Sequence, residues 1–131
     1  MKKSFAVVGL GRFGTNVALT LMESGAQVLA IDSNPECVKR ISSQVTCAVT
    51  INVCETESLK EAGLENMDGV VVAMGDNLEA SAMTIITAKE LGVPYILAKS
   101  NNDEAAKILS KIGADKVIYP EKDAGINVAK K

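Results

Sequence analysis

The chain has no histidine and no tryptophan among its 131 residues, and aromatic residues make up only 3% of it. Histidine is the side chain that most often transfers protons near neutral pH, so its absence disfavours an enzyme that depends on general acid–base catalysis. Lysine and arginine number 14 against 16 acidic residues, which gives a net charge of −2. We therefore expect no broad positive surface, and the composition predicts binding neither to nucleic acid nor to an acidic membrane surface.

Long apolar runs and cysteine pairs are also missing. No run approaches the roughly 20 residues of a membrane-spanning helix, and Lys2 and Lys3 lead into a strand pattern rather than the core of a signal peptide. Cys37, Cys47 and Cys54 form no Cys-x-x-Cys pair. We expect them to be small buried thiols in the reducing cytosol rather than redox or metal-binding groups. A chain of this length predicts one domain.

What the sequence does contain is an alternation of short β-rich runs and helical stretches. The runs consist largely of Val, Ile, Leu and Ala, which is typical of parallel strands buried on both faces. This alternation predicts an α/β fold, namely a Rossmann-like, doubly wound, six-stranded parallel sheet in the order 3-2-1-4-5-6 with helices on both faces. The strands are predicted at 5–8, 28–31, 46–49, 69–73, 95–98 and 116–118, and the helices at 12–24, 35–43, 56–62, 78–91 and 103–112.

The last segment, YPEKDAGINVAKK, leaves the final strand at Pro120 and begins another helical pattern. Its apolar residues Ile126 and Val128 have little following sequence to cover them. The pattern fits a short helix packed on its own domain, a helix that crosses to a partner subunit, or the start of a second domain. The residues alone leave these alternatives open.

Gly9, Gly11 and Gly14 form a Gly-x-Gly-x-x-Gly motif between the first strand and the first helix. Gly9 permits a tight turn, Gly11 lets a phosphate approach the backbone, and Gly14 lets the helix pack closely on the strand. The start of the helix favours a phosphate through its free N–H groups and its partial positive charge. Asp32 ends the second strand about 20 residues further on, where a carboxylate binds ribose hydroxyls and repels a 2′-phosphate. The motif therefore predicts an adenosine nucleotide and disfavours NADP.

Arg12 stands at the first turn of this helix. Its guanidinium favours additional or terminal phosphates, as in ADP or ATP, because the fork of donors matches phosphate oxygens. A solvated arginine is the alternative. The other candidates lie in the glycine loop or follow the carboxyl ends of strands, where open α/β sheets bind ligands: Phe13, Ser33, Asn34, Asn52, Val53, Met74, Gly75, Asp76, Lys99, Ser100, Asn101 and Glu121.

Five ordered segments resemble one known family. FAVVGLGRFG, VLAID, INVCETESLKEAG, VVAMGDNLEAS and KIGADKVIYPEKD are similar to the nucleotide-binding domain that regulates bacterial potassium uptake. This family is called RCK or KTN, the Trk-type N-terminal domain. The likeness runs from Phe5 to about Ala129. GLGRFG, Asn52 and IGADKVIYPEKD most resemble the regulatory subunits of Ktr-type potassium uptake systems.

The resemblance implies that residues 1–131 form the RCK N-terminal domain, without the C-terminal regulatory domain that usually follows it. It implies a homodimer, formed through the fourth and fifth helices with exchange of the terminal helix. An octameric ring is expected on the cytoplasmic side of the cell membrane, beneath a potassium-translocating subunit. ATP or ADP is the implied ligand, with NAD(H) as an alternative and a divalent cation beside the phosphates.

The resemblance also places matching residues around one nucleotide, from adenine to terminal phosphate. In that order they are Asn52 and Val53 at the adenine, Asp32 and Asn34 at the ribose, Met74 to Asp76 at the phosphates and ribose, Arg12 at the terminal phosphates, and Lys99 and Asn101 closing the site. Glu121 matches a position near a neighbour's nucleotide or a cation. Where many relatives have Gly-Asp after the third strand, this chain has Ile51-Asn52. That departure weakens the expectation of an NAD-type contact there.

Two classes of function are in view. The first is a regulatory domain that senses nucleotides and does not turn them over. The second is a small NAD-dependent oxidoreductase, or a fragment of one, which requires a proton-transfer group near the nicotinamide. Tyr95 and Lys99 have the spacing of a catalytic pair, but they fall in a predicted strand rather than on a helix. The sequence favours the first class.

Overall fold

Parallel strands alternate with helices along residues 2–120, the part of the chain that this computed structural model describes. The elements in chain order are β1 Ser4–Val8, α1 Arg12–Glu23, β2 Gln27–Asp32, α2 Pro35–Ile41, β3 Cys47–Thr50, α3 Thr56–Glu61, β4 Gly69–Val72, α4 Leu78–Glu90, β5 Ile96–Lys99, α5 Asp103–Ile112 and β6 Lys116–Ile118. The six predicted strands and the five predicted helices up to residue 118 are present, with ends that differ from the predicted ends by no more than two residues.

The six strands form one parallel sheet in the order β3-β2-β1-β4-β5-β6. This confirms the predicted fold and strand order. The order reverses between β1 and β4, so the connections after these two strands leave on opposite faces of the sheet. A crevice therefore opens at the carboxyl ends of β1 and β4, which is where open α/β sheets bind their ligands.

Alternate residues of each strand fill two apolar cores, one on each face of the sheet. In β1, Ala6 and Val8 belong to the core that also contains Leu59 of α3 and Ile85 of α4, whereas Val7 belongs to the core under α1 and α2. Most of these strand side chains are fully buried. Burial on both faces explains why the strands have continuous apolar sequences rather than an apolar–polar alternation.

The cysteines are more accessible than predicted. Cys47 and Cys54 are exposed, Cys37 is half-buried, and all three are free thiols. The prediction of three buried thiols is therefore wrong. Cys47 begins β3, which lies at the edge of the sheet, and Cys54 lies in the loop that follows this strand.

Two further predictions concern the chain beyond residue 120. Glu121 and the predicted terminal helix both lie outside the described residues. Within residues 2–120, no helix combines the length and the apolar character needed to span a membrane.

Candidate functional site

The turn between β1 and α1 is built around its three glycines. Gly9 has a φ of 101°, and its N–H donates to the carbonyl oxygen of Ile31 at 2.8 Å. A Cβ at Gly14 would collide with the carbonyl oxygen of Gly9, and a Cβ at Gly9 would come within 2.9 Å of the backbone of Ala73. A Cβ at Gly11 would meet nothing within 4 Å. Gly9 and Gly14 are thus required by the packing of the turn, while Gly11 faces open space.

The N-terminus of α1 is not closed by its own side chains. Its N-cap residue is Gly11, and no side chain caps the helix. The first turn contains no acidic residue, and it begins with Arg12 and Phe13. The first N–H groups of a helix carry its partial positive charge and need an acceptor from outside the helix. This helix end is therefore suited to an anion.

Asp32, the last residue of β2, is bound to the same turn. Its Oδ2 accepts a hydrogen bond from the N–H of Leu10 at 2.7 Å, and its Oδ1 accepts one from the N–H of Asn34 at 2.8 Å. An ionised carboxylate has about four acceptor positions. Both oxygens therefore retain the capacity to accept further hydrogen bonds, such as those of a ribose diol.

Two clefts meet at the N-terminus of α1. The β2 cleft has a volume of about 280 Å³ and lies beside the carboxyl ends of β1, β2 and β3. The β5 cleft has a volume of about 340 Å³ and lies beside the ends of β4 and β5. Gly11, Ala73 and Asp76 line both clefts, so together these form one groove across the point where the strand order reverses.

Most of the predicted site residues line this groove. Those in the β2 cleft are Gly9, Gly11, Asp32, Ser33, Asn52, Val53, Met74 and Asp76, and those that line the β5 cleft are Gly11, Arg12, Phe13, Gly75, Asp76, Lys99 and Asn101. The structure therefore brings together residues at the carboxyl ends of five different strands, β1 to β5. Their roles toward a ligand stay predictions.

Three predicted residues within the described range do not line the groove. Gly14 is buried under the turn, and Asn34 caps α2 by accepting the N–H of Glu36 at 2.9 Å. Ser100 is only 2% exposed, and its hydroxyl donates to the carbonyl oxygen of Asn102 at 2.8 Å. Its hydroxyl therefore stabilises the turn before α5. Glu121 lies outside the described residues.

The two clefts differ in their chemistry. In the β5 cleft, the Lys99 ammonium lies 5.7 Å from the centre of the Phe13 ring, a cation–π contact. A Cβ at Gly75 would lie 2.9 Å from Oδ1 of Asn101 and 3.2 Å from Lys99 Cδ, so glycine allows both side chains to approach this loop. With exposed Arg12 as well, the β5 cleft has two cations against the one carboxylate of Asp76. Phosphate groups would be favoured there.

The β2 cleft combines polar groups with an apolar wall. Asn52 shapes the loop after β3, because its Oδ1 accepts the N–H of Cys54 at 3.1 Å. Val53, which is 5% exposed, and Ala80, which is also 5% exposed, contribute apolar surface. A flat aromatic base would pack well against this apolar surface. The Asp32 carboxylate lies in the same cleft.

Sequence reasoning missed several lining residues, namely Leu10, Cys54, Ala73, Asn77 and Ala80. Leu10 and Ala73 sit between or beside residues that were predicted, so a wider window around the strand ends would have included them. Asn77 and Ala80 belong to the start of α4, and Asn77 also caps this helix. Their place in the cleft depends on how α4 crosses the sheet, for which the sequence has no local signal.

The geometry gives no support to a catalytic role for Tyr95. Tyr95 precedes β5 and so lies at the amino edge of the sheet, opposite the groove. Within residues 2–120, no group of three or more His, Cys, Asp or Glu side chains is arranged to hold a metal ion.

Comparison with known proteins identifies relatives. The TrkA-N domain family matches residues 5–120. The Ktr system potassium uptake protein A of Bacillus subtilis (strain 168) is 45% identical over 97% of this chain and 57% of its own length. The protein of the same name from Vibrio alginolyticus is 44% identical over 98% of this chain and 59% of its own length. The chain thus spans a little over half the length of these curated relatives.

Solved structures have the same fold. The TrkA-N domain of the inner membrane protein ybaL from Escherichia coli has a TM-score of 0.87 at 19% identity, covering 99% of this chain and 96% of its own. The Kef CTD of Shewanella denitrificans in its AMP-bound form has a TM-score of 0.78 at 20% identity, with coverages of 96% and 76%. The GsuK channel bound to NAD has a TM-score of 0.76 at 13% identity, with coverages of 90% and 21%.

Proposed function

Because the chain belongs to the TrkA-N domain family, we propose that it is a nucleotide-sensing regulatory domain of a potassium transport system. It binds an adenine nucleotide in the groove and controls potassium flux without turning the nucleotide over. One observation carries this proposal: two adjoining clefts, which share Gly11, Ala73 and Asp76, extend from Asp32 past the uncapped start of α1 to Lys99.

The nucleotide has its adenosine in the β2 cleft and its phosphates at the start of α1. Asp32 accepts the ribose hydroxyls, and Asn52 and Val53 lie beside the adenine. The backbone of Gly11 approaches the phosphates, since no Cβ stands between it and the groove. AMP and NAD, the ligands named for two of the structural relatives, both contain adenosine 5′-phosphate. This shared group is the part that we assign to the β2 cleft.

ATP or ADP is the ligand that the β5 cleft fits best, with NAD(H) as the alternative. Arg12 and Lys99 supply two cations to this cleft, which suits terminal phosphates better than a nicotinamide ring. A divalent cation accompanies the phosphates. Glu121 keeps its sequence-based role as a candidate ligand for that cation.

Regulation requires that the ligands differ in their preference for two conformations of the protein. A ligand shifts a conformational equilibrium only as far as its affinities for the two states differ. ATP has a terminal phosphate that ADP lacks. The contact of this phosphate with Arg12 provides such a difference in affinity. The domain transmits this difference to a potassium-translocating membrane subunit at its cytoplasmic side.

Assembly of the domain is through α4 and α5, as a homodimer within an octameric ring. These helices expose Leu78, Ile86 and Ile108, with 37% to 44% of each residue accessible. Light scattering of the Ile86→Asp variant is expected to show monomers where the unaltered chain forms dimers. An unaltered chain that is monomeric at micromolar concentration would contradict this assembly.

The central experiment identifies the ligand. Mass spectrometry of the purified protein is expected to find an adenine nucleotide, and calorimetry of the stripped protein measures the affinities of AMP, ADP, ATP and NADH. Prolonged incubation with ATP and with NADH is expected to leave both compounds unconsumed. Failure of all four ligands to bind would contradict nucleotide sensing, and steady hydrolysis or hydride transfer would favour an enzyme.

A further inference from the structure

We propose that Asp32 is a positioning residue for the turn between β1 and α1, in addition to its role as the ribose ligand. This inference rests on the proposed function of the groove. The Asp32 carboxylate accepts the N–H of Leu10 at 2.7 Å and the N–H of Asn34 at 2.8 Å. One side chain therefore joins the glycine turn to the start of α2.

The hydrogen bond from the Leu10 N–H stabilises the middle of the glycine turn. Leu10 lies between Gly9, which has a φ of 101°, and Gly11, the N-cap of α1. The Leu10 residue is only 2% exposed, and Asp32 is the acceptor that the described residues provide for its N–H. Removal of this acceptor leaves a poorly hydrated donor unsatisfied, so the peptide that precedes Gly11 is expected to move.

The proposal and simple electrostatics predict opposite changes in phosphate affinity when the Asp32 carboxylate is removed. A carboxylate close to phosphate groups repels them, so loss of its charge alone would strengthen phosphate binding. If Asp32 also positions the turn, loss of the carboxylate displaces the N–H groups that face the phosphate. Phosphate binding is then expected to weaken, although the charge has become more favourable.

Asp115 provides a matched control. Its Oδ2 accepts the N–H of Ile96 at 2.7 Å, in a partly buried position like that of the Leu10 bond. Asp115 precedes β6 and lies at the amino edge of the sheet, far from the groove. Asp115→Ala therefore removes the same kind of hydrogen bond without altering the turn.

The experiment separates the two parts of a nucleotide. Adenosine carries the ribose without phosphate, and inorganic tripolyphosphate carries phosphates without ribose. Calorimetry with both probes is carried out on the full unaltered chain and on the Asp32→Ala, Asp32→Glu and Asp115→Ala variants. Hydrogen exchange of the Leu10 amide is measured on the same proteins without ligand.

We expect Asp32→Ala to weaken the binding of adenosine and of tripolyphosphate by about tenfold each, and to accelerate exchange at Leu10, because alanine leaves no acceptor for its N–H. Asp32→Glu keeps the charge but moves the oxygens, so we expect it to weaken tripolyphosphate binding as well. Asp115→Ala is expected to leave both affinities and the Leu10 exchange rate unchanged.

Several outcomes would overturn the proposal. One is unchanged or tighter tripolyphosphate binding by Asp32→Ala together with weaker adenosine binding, which would leave Asp32 as a ribose ligand only. Another is an equal loss in Asp115→Ala, which would indicate general destabilisation. If the unaltered chain binds no nucleotide at all, the proposed function fails, while the exchange rate of Leu10 still tests the positioning role. If Asp32→Ala does not fold, Asp32→Ser, which also lacks the charge and has a shorter side chain, provides the same comparison.

Discussion

The helices α1 and α5 both begin at the carboxyl edge of the sheet, yet their N-termini are built in opposite ways. Asn102 caps α5 by accepting the N–H of Ala105 at 2.8 Å, and Asp103 and Glu104 place negative charge in its first turn. In α1 the cap position is a glycine and the first charged residue is Arg12. Among the α-helices of residues 2–120, α1 alone has no acidic residue in its first turn.

This difference indicates that the N-terminus of α5 is stabilised by its own residues, whereas the N-terminus of α1 is available to a ligand. A side-chain cap stabilises a helix by about 1 kcal/mol, and an acidic residue in the first turn adds roughly 0.3 to 1 kcal/mol. α5 has both contributions from its own sequence. α1 lacks both, so an external anion has the most to add at that position.

The largest expected effect comes from Gly14→Ala. The added Cβ would collide with the carbonyl oxygen of Gly9, and backbone atoms can move away only if the turn changes its conformation. We expect a loss of about 3 kcal/mol of folding free energy and no measurable nucleotide binding. Denaturant unfolding and calorimetry measure the two effects. Gly11→Ala is the control for stability, because its Cβ meets nothing within 4 Å.

The second-largest effect is expected when the N-terminus of α1 is given a side-chain cap, as α5 has. Gly11→Asp places a carboxylate at the N-cap, where the backbone φ of −73° accommodates any residue. We expect unchanged or slightly higher thermal stability and a loss of about 100-fold in ATP affinity, since the carboxylate occupies and repels the phosphate position. Retention of ATP affinity in this variant would show that the phosphates bind elsewhere.

Arg12→Ala tests whether the basic residue in the first turn of α1 selects the ligand. Loss of a charge-assisted hydrogen bond to a terminal phosphate is expected to weaken ATP binding by about tenfold, with a smaller effect on NADH. Arg40→Ala is the matched control, since Arg40 lies at the end of α2 and donates to Cys37 Sγ. Equal losses for ATP and NADH would contradict the assignment of Arg12 to terminal phosphates.

The smallest effect is expected at α5. Asn102→Ala removes the cap and should destabilise the protein by about 1 kcal/mol, a fall of about 4 °C in Tm, without a change in ATP affinity. Differential scanning calorimetry measures this, with Ser110→Ala on the exposed face of the same helix as the control. Similar losses of ATP affinity in Asn102→Ala and Gly11→Asp would remove the distinction between the two helix ends.

The candidate site was predictable to the extent that it follows strand ends. Strand ends can be found from apolar runs, and parallel strands bring their carboxyl ends to one edge, so Asp32, Asn52 and Lys99 were expected together. Ser100 was predicted by the same rule, but its hydroxyl bonds to the turn before α5. The rule locates a loop at the edge and does not determine which of its side chains faces the groove.

The sequence by itself determined the positions of the strands, the helices and the glycine turn, because each depends on local periodicity and on residues a few positions apart. The strand order was expected from the general topology of doubly wound sheets. Only the tertiary structure decided that one carboxylate, Asp32, ties two turns together, that the β2 and β5 clefts join across Gly11, and that Cys54 reaches the groove. These features join residues that are distant in the chain, and their geometry is fixed by the packing of helices on the sheet.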